Sequence, residues 1–177
     1  MRLNIEVILL KWSKLELLRA SDHTITFADS LSFDASAFSN MNQIRGLHDI
    51  QVSGKLRYDA DEDRVYTDIA INGTMILPCA VTNEDVPYEF ETASTEVFAF
   101  AKTIDDVHEA KGDVVELLPV IFQLILMEIP LKIVKSDVTY PKGNGWEVIK
   151  ENDYRKQKKD EIDPRLAKLM EYKAEED

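Results

Sequence analysis

Few residues in this chain are of a type and spacing that could do chemistry, and Cys79 is the first of them. It stands in Leu77-Pro78-Cys79-Ala80 and is the single cysteine among 177 residues. A reactive thiol needs a neighbouring base or cation to form the thiolate, and none of His23, His48 and His108 lies near it in sequence. Cys79 therefore reads as a half-buried structural thiol at a strand end, in a compartment where no internal disulfide is needed. The acidic run Asp59-Ala60-Asp61-Glu62-Asp63 opens like a calcium loop. Arg64 and Ala70, however, occupy the sixth and twelfth positions, where glycine and glutamate are required. A solvated hairpin tip is the better reading. The three histidines lack zinc spacing, and no G-x-S-x-G, P-loop or dinucleotide fingerprint occurs. Carboxylates are abundant, but abundance on a surface is not a positioned acid–base pair. The expectation is a protein that is not an enzyme and holds no metal or cofactor.

Charge narrows the partners. The chain carries a net charge of -12, and residues 150–177 account for only -1 of it, leaving -11 on residues 1–149. Phosphate binding gains affinity by releasing counterions through Lys and Arg, so a body this acidic opposes broad contact with RNA. Asp61, Glu62 and Asp63 are the candidate surface for a basic partner. Arg155, Lys156, Lys158 and Lys159 form the one basic patch, beside Tyr154. Trp146, flanked by glycines, is a candidate anchor, although docking within its own chain is the commoner fate of such a residue.

The elements that must position these residues follow from periodicity. Ser13-Lys14-Leu15-Glu16 has the form of a capping box and predicts a short N-terminal helix. Ile25 and Phe27, then Val52, Leu56 and Tyr58, then Val65, Ile69 and Ile71 alternate with period two, the last two groups forming a hairpin across the acidic tip. Residues 74–79, 88–92 and 97–100 continue as separate β stretches. Residues 101–112 read as a mobile loop ending at Gly112. An apolar helix spans about 118–129, with Pro119 in its first turn and Pro130 after it. At ~18 Å it is too short for a membrane and reads as a core helix lying across the sheet. The predicted fold is α+β: an antiparallel β-meander or partly closed sheet packed against that helix, within a body of residues 1–135. Residues 136–177 read as a flexible, mostly irregular charged tail. Asp163 and Pro164 start a short helix there, near 164–172. The apolar stretch at Ile5–Leu10 is broken by Glu6 and lacks a cleavage site, so the chain reads as cytoplasmic.

Three segments together carry a resemblance: LPCAVTNEDVPYEFET over 77–92, DVVELLPVIFQLILMEIP over 113–130, and GNGWEVI with DPRLAKL over 143–149 and 163–169. In this order and spacing the chain resembles the YceD family, the large ribosomal RNA subunit accumulation proteins, in its Gram-positive form, over about Lys11 to Leu169. The resemblance implies a role in accumulation of large-subunit (23S) ribosomal RNA and places Arg165 in a family-like tail segment, a further candidate contact. It transfers no catalytic residue. Many members carry a second cysteine three residues after the first and more near the chain end, which implies a metal in those members. Thr82 stands at that position here and no cysteine follows, so no metal site carries over. The function expected is a ribosome-assembly factor that binds a basic ribosomal protein or a large-subunit assembly intermediate, touching rRNA at most indirectly. The alternative is a direct RNA-binding module using the basic tail, and an RNA-processing enzyme is a weaker third.

Overall fold

A computed structural model describes residues 10–102 and 107–160. Contacts divide the chain into two units, residues 1–135 and 136–177. In the first unit, β1 (Lys11–Ser13) leads directly into α1 (Lys14–Arg19). The capping box is formed: Glu16 N donates to Ser13 Oγ at 3.3 Å, and Ser13 N donates to Glu16 Oε2 at 2.7 Å. These bonds satisfy amides that have no partner inside the helix, which is why the chain turns helical at Lys14.

The main sheet is built from β2 (Thr24–Leu31), β3 (Gly46–Asp59), β4 (Arg64–Pro78), β5 (Asp85–Ala99) and β6 (His108–Glu109). They lie side by side in sequence order, antiparallel except for the last pair. The β4–β5 pairing runs without a register shift from Arg64↔Ala99 to Pro78↔Asp85. Two stretches that the sequence presents as separate strands, 65–71 and 74–79, are thus one strand passing through Asn72-Gly73, and 88–92 and 97–100 fuse in the same way. Gly73 does not break β4 because a neighbour fills its place: a Cβ built there would lie 2.4 Å from the Ile50 Cδ1 methyl. The segment expected as a mobile loop also contributes structure in its described part. His108–Glu109 pairs in parallel with Phe98–Ala99, and Lys111 bridges Val114 around Gly112, which sits at φ 67.

One face of the sheet is covered. β7 (Val114–Glu116) pairs with β1, and Leu117 N donates to Leu10 O at 2.9 Å. Chain direction then passes into α2 (Leu118–Met127), with Pro119 in its first turn, where a missing N–H costs nothing. Val120, Ile121 and Ile125 of α2 are buried with Ile50, Val52, Leu56, Ile71, Met75 and Leu77 of the sheet. The apolar helix is therefore core, as its composition demands. Leu126 is only half-buried, at the rim of a shallow groove that includes Pro78, Ile129 and Ile133. Among the described residues no helix is long and apolar enough to cross a membrane.

In the second unit, β8 (Lys142–Gly143) and β9 (Trp146–Glu147) form a small hairpin, followed by α3 (Glu151–Asp160). The helix expected near 164–172 lies outside the described residues.

Candidate protein-binding surface

The acidic tip between β3 and β4 is a worked turn. Asp59 Oδ1 accepts from the amides of Asp61 (3.0 Å) and Glu62 (3.2 Å), and Glu62 accepts from the Tyr66 hydroxyl. Asp63, at φ 54, turns back toward the body. It accepts from Tyr58 Oη at 2.9 Å and pairs with Lys14 Nζ at 2.5 Å, while Lys14 lies over the rings of Phe100 (5.0 Å) and Tyr58 (5.7 Å). The lysine contact, then the tyrosine, holds the Asp63 carboxyl below its ordinary range, and the same carboxylate raises Lys14. Tyr58 is raised chiefly by burial. Asp63 is thus a latch between the hairpin tip and α1, leaving Asp61 as the tip carboxylate with no side-chain partner among the described residues.

The open face of the sheet sorts its charges differently from end to end. Near the tip, Lys55 pairs with Asp68 at 3.4 Å, Thr95 Oγ1 donates to Asp68 at 3.0 Å, and Arg57 approaches Asp59 at 3.9 Å. A row of small residues follows, Ala28, Ser53, Ala70 and Ala93, which the pairing aligns across four strands. Beyond it, the β3–β4 register shifts between His48 and Gln51, with Asp49 at φ 53. Extra backbone at a bulge bends the strand away from its partner. Here there is a shallow depression of about 440 Å³ lined by Asp49, Asn72, Gly73, Thr74, Glu89, Phe90 and Glu91. Its three carboxylates have no hydrogen bond or ion pair among the described residues, and no cation lines it.

Cys79 lies in the turn that joins β4 to β5. Asn83 N donates to Cys79 O at 2.9 Å with Asn83 at φ 59, Cys79 N donates to Glu84 O at 2.8 Å, and Ala80 N donates to Ile133 O at 2.9 Å. The thiol is buried, 2% exposed, rather than half-buried. Donors surround it: the Thr82 hydroxyl first, then the backbone amides of Lys135, Thr82 and Val81, which together bring its pKa from 9.0 down to about 6. The absent histidine was thus a poor guide, since N–H groups converging in a turn also stabilise an anion. Among the described residues no three His, Cys, Asp or Glu side chains are grouped to hold a metal ion.

Trp146 is 57% exposed and rests on its own hairpin: a Cβ built on Gly143 would lie 2.4 Å from the indole Nε1, so only glycine admits the ring there. The basic patch falls on α3, where Arg155 pairs with Glu151 at 2.5 Å and Lys158 lies 5.4 Å over the Tyr154 ring. Arg165 lies outside the described residues. What sequence reasoning missed is the pair Glu89 and Glu91, because their availability depends on which strand ends the sheet.

An acidic α+β body with a one-sided sheet and a turn built on Leu77-Pro78-Cys79 defines the class, and comparison with known proteins gives the family. The chain belongs to the YceD family: residues 67–173 match the family described as "Large ribosomal RNA subunit accumulation protein YceD". It is also similar to "Uncharacterized protein YlbN" of Bacillus subtilis (strain 168), a Gram-positive bacterium. The two are 33% identical over 169 residues, covering 90% of this chain and 94% of YlbN. No solved structure matches it.

Proposed function

We propose that this chain is a non-enzymatic cytoplasmic factor supporting accumulation of large-subunit (23S) ribosomal RNA and ribosome assembly, and that it acts by binding a basic ribosomal protein or an assembly intermediate that contains one. The family's description supports the part that concerns ribosomal RNA. One observation carries the part that concerns protein: the uneven matching of charge in the first unit. On the open face of the sheet Lys55 and Arg57 are each held in an ion pair, whereas Asp49, Glu89 and Glu91 are not; elsewhere in the unit Arg19, Lys102 and Lys132, like Asp61, have no ion pair among the described residues. With the cations of the open face matched and its carboxylates left over, that face repels phosphate and attracts basic protein.

The test is titration with a purified basic large-subunit ribosomal protein and, separately, with large-subunit RNA, each at two salt concentrations. Salt-sensitive capture of the protein, with little capture of RNA, is the expected result, together with a loss of mature large-subunit RNA in cells lacking the chain. RNA capture that disappears on neutralising Arg155, Lys156, Lys158 and Lys159, with protein capture absent, replaces this reading by direct RNA binding through α3.

A further inference from the structure

The outer edge of β5 is an unpaired strand whose backbone polarity can be read residue by residue. Ala110 N donates to Ala99 O at 2.9 Å, so the carbonyl of Ala99 points away from β4 and toward β6. The N–H and C=O of one strand residue point the same way and alternate along the chain. Since the β4–β5 register never shifts, Val97, Thr95, Ala93, Glu91 and Glu89 also direct their N–H and C=O outward. Glu84 O, which accepts from Cys79 N across the turn, and Phe100 N, which donates to Asp63 O at 3.4 Å, have the opposite sense, as even-numbered positions should. β6 pairs with this edge at Phe98↔His108 and Ala99↔Glu109, which in a parallel ladder takes up the Val97 carbonyl as well as Ala99, and Pro87 has no N–H to offer. Between these limits lie four outward-facing residues, Glu89, Glu91, Ala93 and Thr95, with no strand partner among the described residues.

Charge identifies the occupant. Segment 85–99 contains Asp85, Glu89, Glu91 and Glu96 and no Lys, Arg or His. Asp85 is matched by Arg45 and Glu96 by His108, but Glu89 and Glu91 are unmatched, and their side chains project on the open face beside the carboxylate-lined depression. A second copy of this chain brought edge to edge would add the same four acids and no base, so self-pairing is repulsive. An incoming strand with Lys or Arg at alternate positions places its cations opposite Glu89 and Glu91 while its backbone completes the ladder.

We propose that the Glu89–Thr95 edge of β5 binds an extended, lysine- or arginine-rich peptide segment of a partner protein by strand addition. This rests on the protein-binding reading above and locates its site. Unlike a contact made by side chains alone, strand addition requires the outward amides. Ala93→Pro removes one of them without removing any bond to β4, and Thr92 is already extended, as a residue before proline prefers to be.

The experiment uses the full chain, a ten-residue peptide alternating lysine with valine or threonine, and amide hydrogen exchange with and without peptide. Expected are slowed exchange at Glu89, Glu91, Ala93 and Thr95, and an affinity at least tenfold weaker for Ala93→Pro and for the double variant Glu89→Lys/Glu91→Lys. Thermal melting checks that each variant is folded, and the double variant serves if Ala93→Pro is not. Undiminished peptide affinity in a folded variant overturns the site, as does protection confined to Asp59–Asp63, though in both cases the protein-binding reading stands. Failure of both the peptide and a basic ribosomal protein to bind removes the two together. Peptide-independent protection of the same amides in a dimer detected by sedimentation also overturns it, in favour of a second copy.

Discussion

The hairpin tip at Asp59–Asp63 and the β5 edge around Glu89 and Glu91 are both acidic, but they spend their charge in opposite ways. At the tip, Asp59 caps two amides, Glu62 accepts from Tyr66, and Asp63 is clamped between Lys14 and Tyr58. At the edge, two glutamates on alternate positions meet no cation among the described residues. A dense acidic run close in sequence is dense because its members are turn-formers that hold one another's backbone, which uses up their capacity to accept. Two acids spaced by one residue on a strand share a face and have no such local outlet. Availability, rather than local density, marks the surface for a partner.

The largest effect should come from the core that supports both regions. Ile121 is fully buried under the sheet, and Ile121→Ala should cost about 2–5 kcal/mol in unfolding free energy, measured by denaturant titration, with tip and edge losing protection together. Leu126→Asp should cost less than Ile121→Asp, because Leu126 lies at the groove rim where its carboxylate can reach water. Equal losses at the two positions would show that the groove is closed.

Cys79 offers a second separation, by pH. Its folded pKa, about 6, lies below its ordinary 9.0, so the thiolate's contribution is full above pH 9 and disappears as pH falls through 6. Unfolding free energy of the parent should rise relative to Cys79→Ser between pH 6 and 9. The serine hydroxyl does not ionise in this window, and the Lys135–Glu84 pair nearby is common to both proteins. Parallel curves would mean that the sulfur stays protonated. Peptide capture should be unchanged, since the thiol faces the turn interior.

How much of this was legible before the fold was known differs by element. The capping box at Ser13–Glu16, the hairpin across 59–63 and the α2 segment could be read because each signal is local: a spaced hydroxyl and carboxylate, a period of two, a run of apolar residues between prolines. The fused 15-residue strands could not, because Gly73 normally signals a stop, and only Ile50, more than twenty residues earlier, fills its place. The two-residue β6 depends on the open edge of β5 beside Phe98 and Ala99 and has no signature of its own. Helix α3 lacks an apolar stripe, though Glu151 and Asp153 in its first turn and the Glu151–Arg155 spacing were signals available to find it. For the candidate surface, composition gave the sign of the charge, while strand order decided which carboxylates remain free.

Asp63→Asn tests the tip directly. Removing the charge weakens the Lys14 contact and one tyrosine hydrogen bond on a partly exposed group, which should cost about 1 kcal/mol. Because Asp63 is lowered and Lys14 raised, the difference between parent and variant should hold from about pH 4 to 10. It should fade as pH falls below the ordinary carboxylate value of 3.8, or rises past the lysine value of 10.5. Capture of a basic protein should barely change, which separates the latch from the binding surface.

The smallest effect on stability, and the sharpest test of the comparison, belongs to Glu89→Gln with Glu91→Gln. Neither side chain has a bond to lose within the described residues, and glutamine fits the same exposed strand positions, so unfolding free energy should stay within about 0.5 kcal/mol of the parent. A small gain is the expected sign, since an acidic body relieves self-repulsion by losing two charges. Capture of a basic ribosomal protein should nonetheless weaken, and its dependence on salt should flatten, because the removed charges are the ones that a cation could pair with unopposed. The tip variant should therefore lose stability and keep capture, while the edge variant keeps stability and loses capture. If surface plasmon resonance finds the two variants equally impaired in capture, the acidic body acts as a diffuse field, and the distinction between engaged and available carboxylates has no functional weight.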